Sequence, residues 1–148
     1  MRYELTVTDT ISPEDEKAVE APLVAYNIET FGKSDKRDLS ILLRDAEGKV
    51  EGGLVGYTAR GWLYVRLLFV PESARGEGLG PQLLALAEQE ARRRGCIGAY
   101  LDTMNPKARQ TYLGCGYSVI GEHGPLHGGM SITWLSKCFE TQGEDDER

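Results

Sequence analysis

The stretch Phe69-Val70-Pro71-Glu72-Ser73-Ala74-Arg75-Gly76-Glu77-Gly78-Leu79-Gly80, residues 69–80, joins the strongest strand signal in the chain to its clearest helical one. Upstream, Trp62 to Val70 is an unbroken run of mostly aliphatic and aromatic side chains, the composition of a buried strand. Downstream, Leu79, Leu83, Leu86, Ala87 and Ala91 fall on one stripe and predict an amphipathic helix over Leu79 to Arg94. Between them lie three glycines whose missing Cβ atoms let backbone N–H groups come close to an anion, at a helix start where the first amides have no internal partner. The glycines sit at 76, 78 and 80, so the dinucleotide fingerprint is not matched, and no Gly-Lys-Ser/Thr follows. By itself the loop reads equally as an anion cradle or as a plain tight turn.

Working outward, Arg92, Arg93 and Arg94 close the helix where cations complement its dipole, and Gly95 is placed to cap it. That arrangement accounts for the arginine cluster better than a nucleic-acid site does. Leu39 to Arg44 and Val50 to Arg60 read as strands joined by the turn Asp45 to Lys49, making a three-stranded meander that ends at the glycine loop. Gly52, Gly53 and Gly56 mark a bulge or a close backbone approach within it. Ser12-Pro13-Glu14-Asp15 opens a helix that Pro22 should kink or divide and Gly32 should end, after a short alternating strand from Tyr3 to Thr8. After the glycine loop and its helix, Ile97 to Thr103 reads as a strand. Asn105-Pro106 then opens a helix ending near Gly114 to Gly116, with Ala108, Tyr112 and Cys115 on one face, and Tyr117 to Glu122 and Met130 to Ser136 are two final strands.

With 148 residues and no internal repeat or linker, residues 1–139 form one α/β domain, followed by an acidic tail, 140–148, expected to be disordered. The tail holds five acids against one arginine and so carries four of the six net negative charges, which leaves no strong field on the body and no basic patch for nucleic acid. No apolar run is long enough for a membrane span or a signal peptide, and three widely spaced cysteines suit a reducing compartment, so a cytoplasmic location is expected. His123 and His127 lack further nearby ligands, and no metal site is expected.

Two motifs together resemble the GNAT superfamily of acyl-CoA-dependent N-acyltransferases. Arg75-Gly76-Glu77-Gly78-Leu79-Gly80 is similar to its Arg/Gln-x-x-Gly-x-Gly/Ala signature. Asn105, Ala108, Tyr112, Gly116 and Tyr117 are similar to its Asn-x-x-Ala-x-x-x-Tyr-x-x-x-Gly-aromatic pattern. The resemblance is good over Val50 to Glu122 and holds only in outline for the N-terminal helices. It implies a mixed, mostly antiparallel sheet of about seven strands with flanking helices, splayed between the fourth and fifth strands, where the pantetheine arm of coenzyme A enters. It further implies that backbone groups of Phe69 and Val70 bind that arm and that the amides of Arg75, Gly76, Glu77, Gly78, Leu79 and Gly80 hold the pyrophosphate. Asn105 and Ala108 belong to the same cofactor-binding set. Pro81 removes one amide donor from the usual pattern, and Glu77 puts a negative charge beside the phosphates unless it turns to solvent.

The implied activity is transfer of an acetyl group from acetyl-CoA to a primary amine of a small molecule or peptide by direct attack, with a non-catalytic acyl-CoA-binding or sensing module of the same fold as the alternative. A nucleotide-binding protein built on the glycine loop ranks far below both. Tyr112 is the implied general acid for the departing thiolate, and an amide near Val70 the implied oxyanion donor. No base stands out: water, Glu122, His123 and Asp102 all remain open. The acceptor side would draw on Tyr26, Asn27 and Phe31 and on the loop from His123 to Gly129, although Tyr26 and Phe31 read first as core residues. The resemblance leaves room for a homodimer.

Overall fold

The computed structural model describes residues 2–140, so the expected acidic tail lies, apart from Glu140, outside the described residues. Contacts divide the chain into two units that meet between Ser34 and Asp35.

The first unit holds helix α1, Pro13–Phe31. Ser12 caps it as expected, its hydroxyl accepting from the Asp15 N–H at 3.1 Å, and Gly32 ends it in a positive-φ conformation with its N–H on the Ile28 carbonyl. Pro22 does not divide the helix, which runs through it as one element. Tyr26 and Phe31 are 61% and 66% exposed, so neither is the core residue its apolar character suggested. Tyr3 to Thr8 forms no strand: its backbone has no ladder partner among the described residues, and alternation without a partner cannot satisfy strand N–H and C=O groups.

Among its described residues the second unit holds a six-stranded sheet, against the expected seven or so, because that first segment stays unpaired. Its strands are β1 (Arg37–Arg44), β2 (Val50–Ala59), β3 (Trp62–Phe69), β4 (Gly98–Thr103), β5 (Ser118–His123) and β6 (Ile132–Cys138), in the order β1-β2-β3-β4-β6-β5. Every pairing is antiparallel except β3 with β4, whose parallel arrangement needs a crossover, supplied by helix α2 (Leu79–Arg93). Helix α3, Pro106–Gly114, connects β4 to β5.

Strand β2 can lie so close to β3 because Gly56 has no side chain, since a Cβ there would collide with the Tyr64 carbonyl. Directly beside it the β2–β3 register shifts, between Val55 and Gly56, so the bulge expected from the glycines is present.

The core is the sheet face under α2. Leu83, Leu84, Ala87 and Ala91 of the helix join Leu54, Leu63, Val65, Ala99, Leu101 and Leu135 of the strands, most of them fully out of solvent. Leu84 takes the place that the stripe assigned to Leu86, which is 51% exposed. One ionic cluster interrupts this apolar layer. The carboxylate of Glu88 on α2 accepts from the Tyr117 hydroxyl at 2.9 Å and from Lys137 Nζ at 2.8 Å, and Lys137 also donates to the Cys115 carbonyl at the end of α3. Both lone-pair-rich oxygens of a largely buried acid are thereby satisfied, and α2, α3 and β6 are tied at one point.

Candidate active site

The site grows out of the one parallel pair. Strands β3 and β4 pair from Trp62/Gly98 to Val65/Leu101 and then stop pairing, although β3 runs on to Phe69 and β4 to Thr103. This is the splay expected between the fourth and fifth strands, which are β3 and β4 here. Beyond the last pair, the edges of Arg66 to Phe69 and of Asp102 and Thr103 that face one another carry no ladder bonds between them.

On the helix side of this gap lies a cleft of about 470 Å³. Its walls are the end of β3 (Leu68, Phe69, Val70), the glycine loop with the start of α2, and one face of α3. Of the residues singled out in the sequence, Phe69, Val70, Arg75, Gly76, Gly78, Leu79, Gly80, Asn105, Ala108 and Tyr112 all line it. Glu77 does not; it is exposed and outside the lining. Lys107 and Thr111 were not anticipated. Their only signal was the helical spacing that places them beside Ala108 and Tyr112.

The loop is shaped for an anion. Gly76 and Gly78 have φ of 86° and 76°, which disfavours side-chain-bearing residues, and Gly78 is the N-cap of α2. The N–H groups of Gly76 through Gly80 have no acceptor among the described residues, while those of Ala74 and Arg75 are used by the short 3-10 turn Glu72–Ala74. A row of unpaired amides at a helix N-terminus is an electropositive cradle, and added Cβ atoms at 76 or 78 would stand in open space where a ligand would approach. Pro81 lines the cleft without contributing an amide, as expected. Arg75 donates from Nε to the Val70 carbonyl at 3.0 Å with its guanidinium 5.8 Å from the Phe69 ring centroid, so it braces the loop against the end of β3.

Opposite the cradle, α3 begins at Asn105, whose side chain accepts from the Lys107 N–H at 2.9 Å. Seven residues on, Tyr112 is only 7% exposed yet reaches the cleft, and its hydroxyl has no hydrogen-bond partner among the described residues. Burial, with smaller pushes from Cys115 and Asp102, raises its phenol above the usual range, so it is protonated at neutral pH and able to donate.

Of the residues considered as bases, Glu122 is engaged on the helix side, 3.5 Å from Arg109 of α3 and 3.4 Å from the Thr133 hydroxyl. It and His123 lie on β5, separated from β4 by the whole of β6. Asp102 is different: it stands on β4 at the first position past the last β3 pair. Tyr26, Asn27 and Phe31 belong to α1 in the other unit.

Residues 3–117 match the profile of the acetyltransferase (GNAT) family. A protein named as an acetyltransferase from Agrobacterium fabrum is 61% identical over 133 residues, covering 90% of this chain and 97% of that one. A crystal structure from Agrobacterium tumefaciens, described as a candidate acetyltransferase, superposes with a TM-score of 0.91 at 59% identity over 93% of this chain and all of the other. Blasticidin-S acetyltransferase of Streptomyces morookaense is 46% identical over 71 residues, 47% of this chain and 52% of its own length. With the profile spanning most of its length and the signature loop and tyrosine helix facing each other across one cleft, this chain belongs to the GNAT acetyltransferase family.

Proposed function

We propose that this acetyltransferase uses acetyl-CoA as cosubstrate and a primary amine of a small molecule or peptide as acceptor, transferring the acetyl group by direct attack. The observation that carries the reading is the single cleft that joins the unpaired amides of the glycine loop to a buried, protonated tyrosine with a free hydroxyl.

In this reading the amides from Gly76 to Gly80 bind the pyrophosphate of coenzyme A, with Arg75 and Glu77 contributing backbone rather than side-chain charge. The edge of β3 away from β2 at Phe69 and the N–H of Val70, whose carbonyl is held by Arg75, present backbone to the pantetheine arm, and Ala108 leaves room for it. Asn105 starts the helix that brings Tyr112 to the sulfur. The neutral amine nitrogen forms a bond to the thioester carbonyl carbon, and the oxyanion so formed takes a hydrogen bond from backbone N–H near Val70. When the carbon–sulfur bond breaks, the electron pair leaves on sulfur and Tyr112 O–H donates to it, while the surplus proton on nitrogen passes to water. A phenol with a raised pKa is a weak acid against a thiolate, so its main contribution is a strong hydrogen bond to developing charge.

A reducing, cytoplasmic location fits the three free cysteines. The deciding experiment incubates the protein with acetyl-CoA and a panel of primary amines, blasticidin S among them, and follows free thiol release. Thermal shift with coenzyme A is measured in parallel. Release with at least one amine is the expected result. A coenzyme A-dependent shift with no turnover on a broad panel would favour a binding module instead.

A further inference from the structure

The sheet face opposite α2 carries side chains that the cofactor cleft does not use. Tyr57 of β2, Tyr64 of β3 and Tyr100 of β4 stand at paired positions across three strands, and Trp134 of β6 pairs with Asp102 of β4. Their rings form a ladder: Tyr64 stacks on Tyr100 with centroids 4.9 Å apart and lies within 6.5 Å of Trp134 at an interplanar angle of 20°. At the end of the ladder nearest the strand gap, the Tyr64 hydroxyl donates to Asp102 Oδ1 at 3.0 Å. All these side chains are half-buried, so they are partly shielded from water and still reachable.

Asp102 makes no ion pair with a lysine or arginine among the described residues, and its one side-chain hydrogen bond comes from Tyr64. A carboxylate has about four lone-pair sites, so most of its accepting capacity is open. Its carboxylate stands beside the aromatic ladder, and aromatic rings are themselves attractive to cations. The far end of the ladder already shows this preference, with Lys36 Nζ 4.5 Å from the Tyr57 centroid. Asp102 also stands at the first β4 position past the last β3 pair, beside the strand gap.

We infer that Asp102, oriented by Tyr64 and flanked by Tyr64, Tyr100 and Trp134, is the specificity-determining carboxylate that receives a cationic primary amine bearing a flat or apolar body. The inference rests on the acetyl transfer proposed above and names the chemical class of its acceptor. Asp102 accepts N–H bonds from the amine in both its charged and neutral forms, so the nitrogen stays aimed at the gap after a proton is lost to water. The open acceptor sites of the carboxylate select for N–H donors and positive charge, and the rings select for a planar or apolar remainder.

The test titrates the coenzyme A-saturated full chain with 2-phenylethylammonium and, as its uncharged counterpart, 2-phenylethanol, reading tryptophan fluorescence because Trp134 lies in the ladder. Wild type should bind the cation more tightly than the alcohol. Asp102→Asn, which retains an acceptor for Tyr64, should weaken the cation by ~10- to 100-fold and leave the alcohol unchanged. Equal cation affinity in the two proteins, or no preference of wild type for the cation, would overturn the inference. Should Asp102→Asn fail to fold by circular dichroism, Tyr64→Phe replaces it, with an expected loss of ~3- to 10-fold for the cation alone; no loss would be equally fatal. Calorimetry with coenzyme A, run separately, reports on the cofactor cleft, so failure there is distinguishable from failure at Asp102.

Discussion

The two faces at the β3–β4 gap are built from different materials. The glycine-loop cleft is made largely of backbone: unpaired amides, the frayed edge of β3 and a helix start, with Tyr112 as the buried hydroxyl-bearing side chain among its lining residues. The opposite face is made of side chains, an aromatic ladder ending in Asp102. A backbone site recognises what every reaction of one cosubstrate shares, because its geometry is set by φ/ψ and tolerates little change. A side-chain face can be altered one residue at a time, which is how one fold accommodates different acceptors.

That contrast is broken most directly on the backbone side. Gly78→Val forces a β-branched residue into φ of 76°, at a strain of about 1–2 kcal/mol, and sets atoms where phosphate would approach. Coenzyme A affinity by calorimetry should fall by ~100-fold or more, as charge-assisted bonds to the cradle are lost together; unaltered binding would rule the cradle out. Tyr112→Phe should lower turnover by on the order of 10² with coenzyme A binding nearly intact, the scale of a lost proton donor. Equal turnover on a verified good substrate would remove Tyr112 from the chemistry.

A smaller effect is expected from the ionic cluster that holds the two cleft helices together. Glu88→Gln leaves Lys137 without its counter-charge, and because Lys137 is a quarter exposed the cost should be about 2 kcal/mol rather than the full penalty of a buried orphan. Urea unfolding measures it, and a loss indistinguishable from zero would mean that the cluster contributes nothing net. The smallest effect concerns the ladder. Burial and the hydrogen bond to Asp102 push the Tyr64 phenol up to about 12, above its unfolded value near 10. The protonated form is therefore the one folding favours: its contribution is complete below pH 10 and is lost as pH rises toward 12. Other raised tyrosines share the decline, so the test is a difference, and stability between pH 9 and pH 12 should fall less steeply in Tyr64→Phe than in wild type. Parallel curves would show that Tyr64 titrates alike in both states.

How far each face could be read without coordinates follows the same division. The glycine loop, the Asn105-Pro106 cap and the Ala108–Tyr112 spacing are local patterns, and local patterns survive in a linear sequence. The stripe on α2 was nearly right, but it took in Leu86, at one edge of the apolar face and 51% exposed, and left out Leu84, which is buried. Alternation from Tyr3 to Thr8 predicted a strand because a pattern of side chains carries no information about whether a neighbour offers its backbone. That Glu122 stands on β5, with β6 between it and β4, is a fact of strand order that no local pattern carries.

By itself, then, the sequence determined the glycine loop, the helix it opens and the tyrosine helix that follows, because glycine conformation, capping and helical period are properties of neighbours in the chain. Only the tertiary structure decided that Tyr64 and Asp102, thirty-eight residues apart, share a hydrogen bond at the mouth of the splay. That contact depends on the parallel register of β3 against β4, which in turn depends on the α2 crossover and on the core it buries, and no short window of residues encodes it.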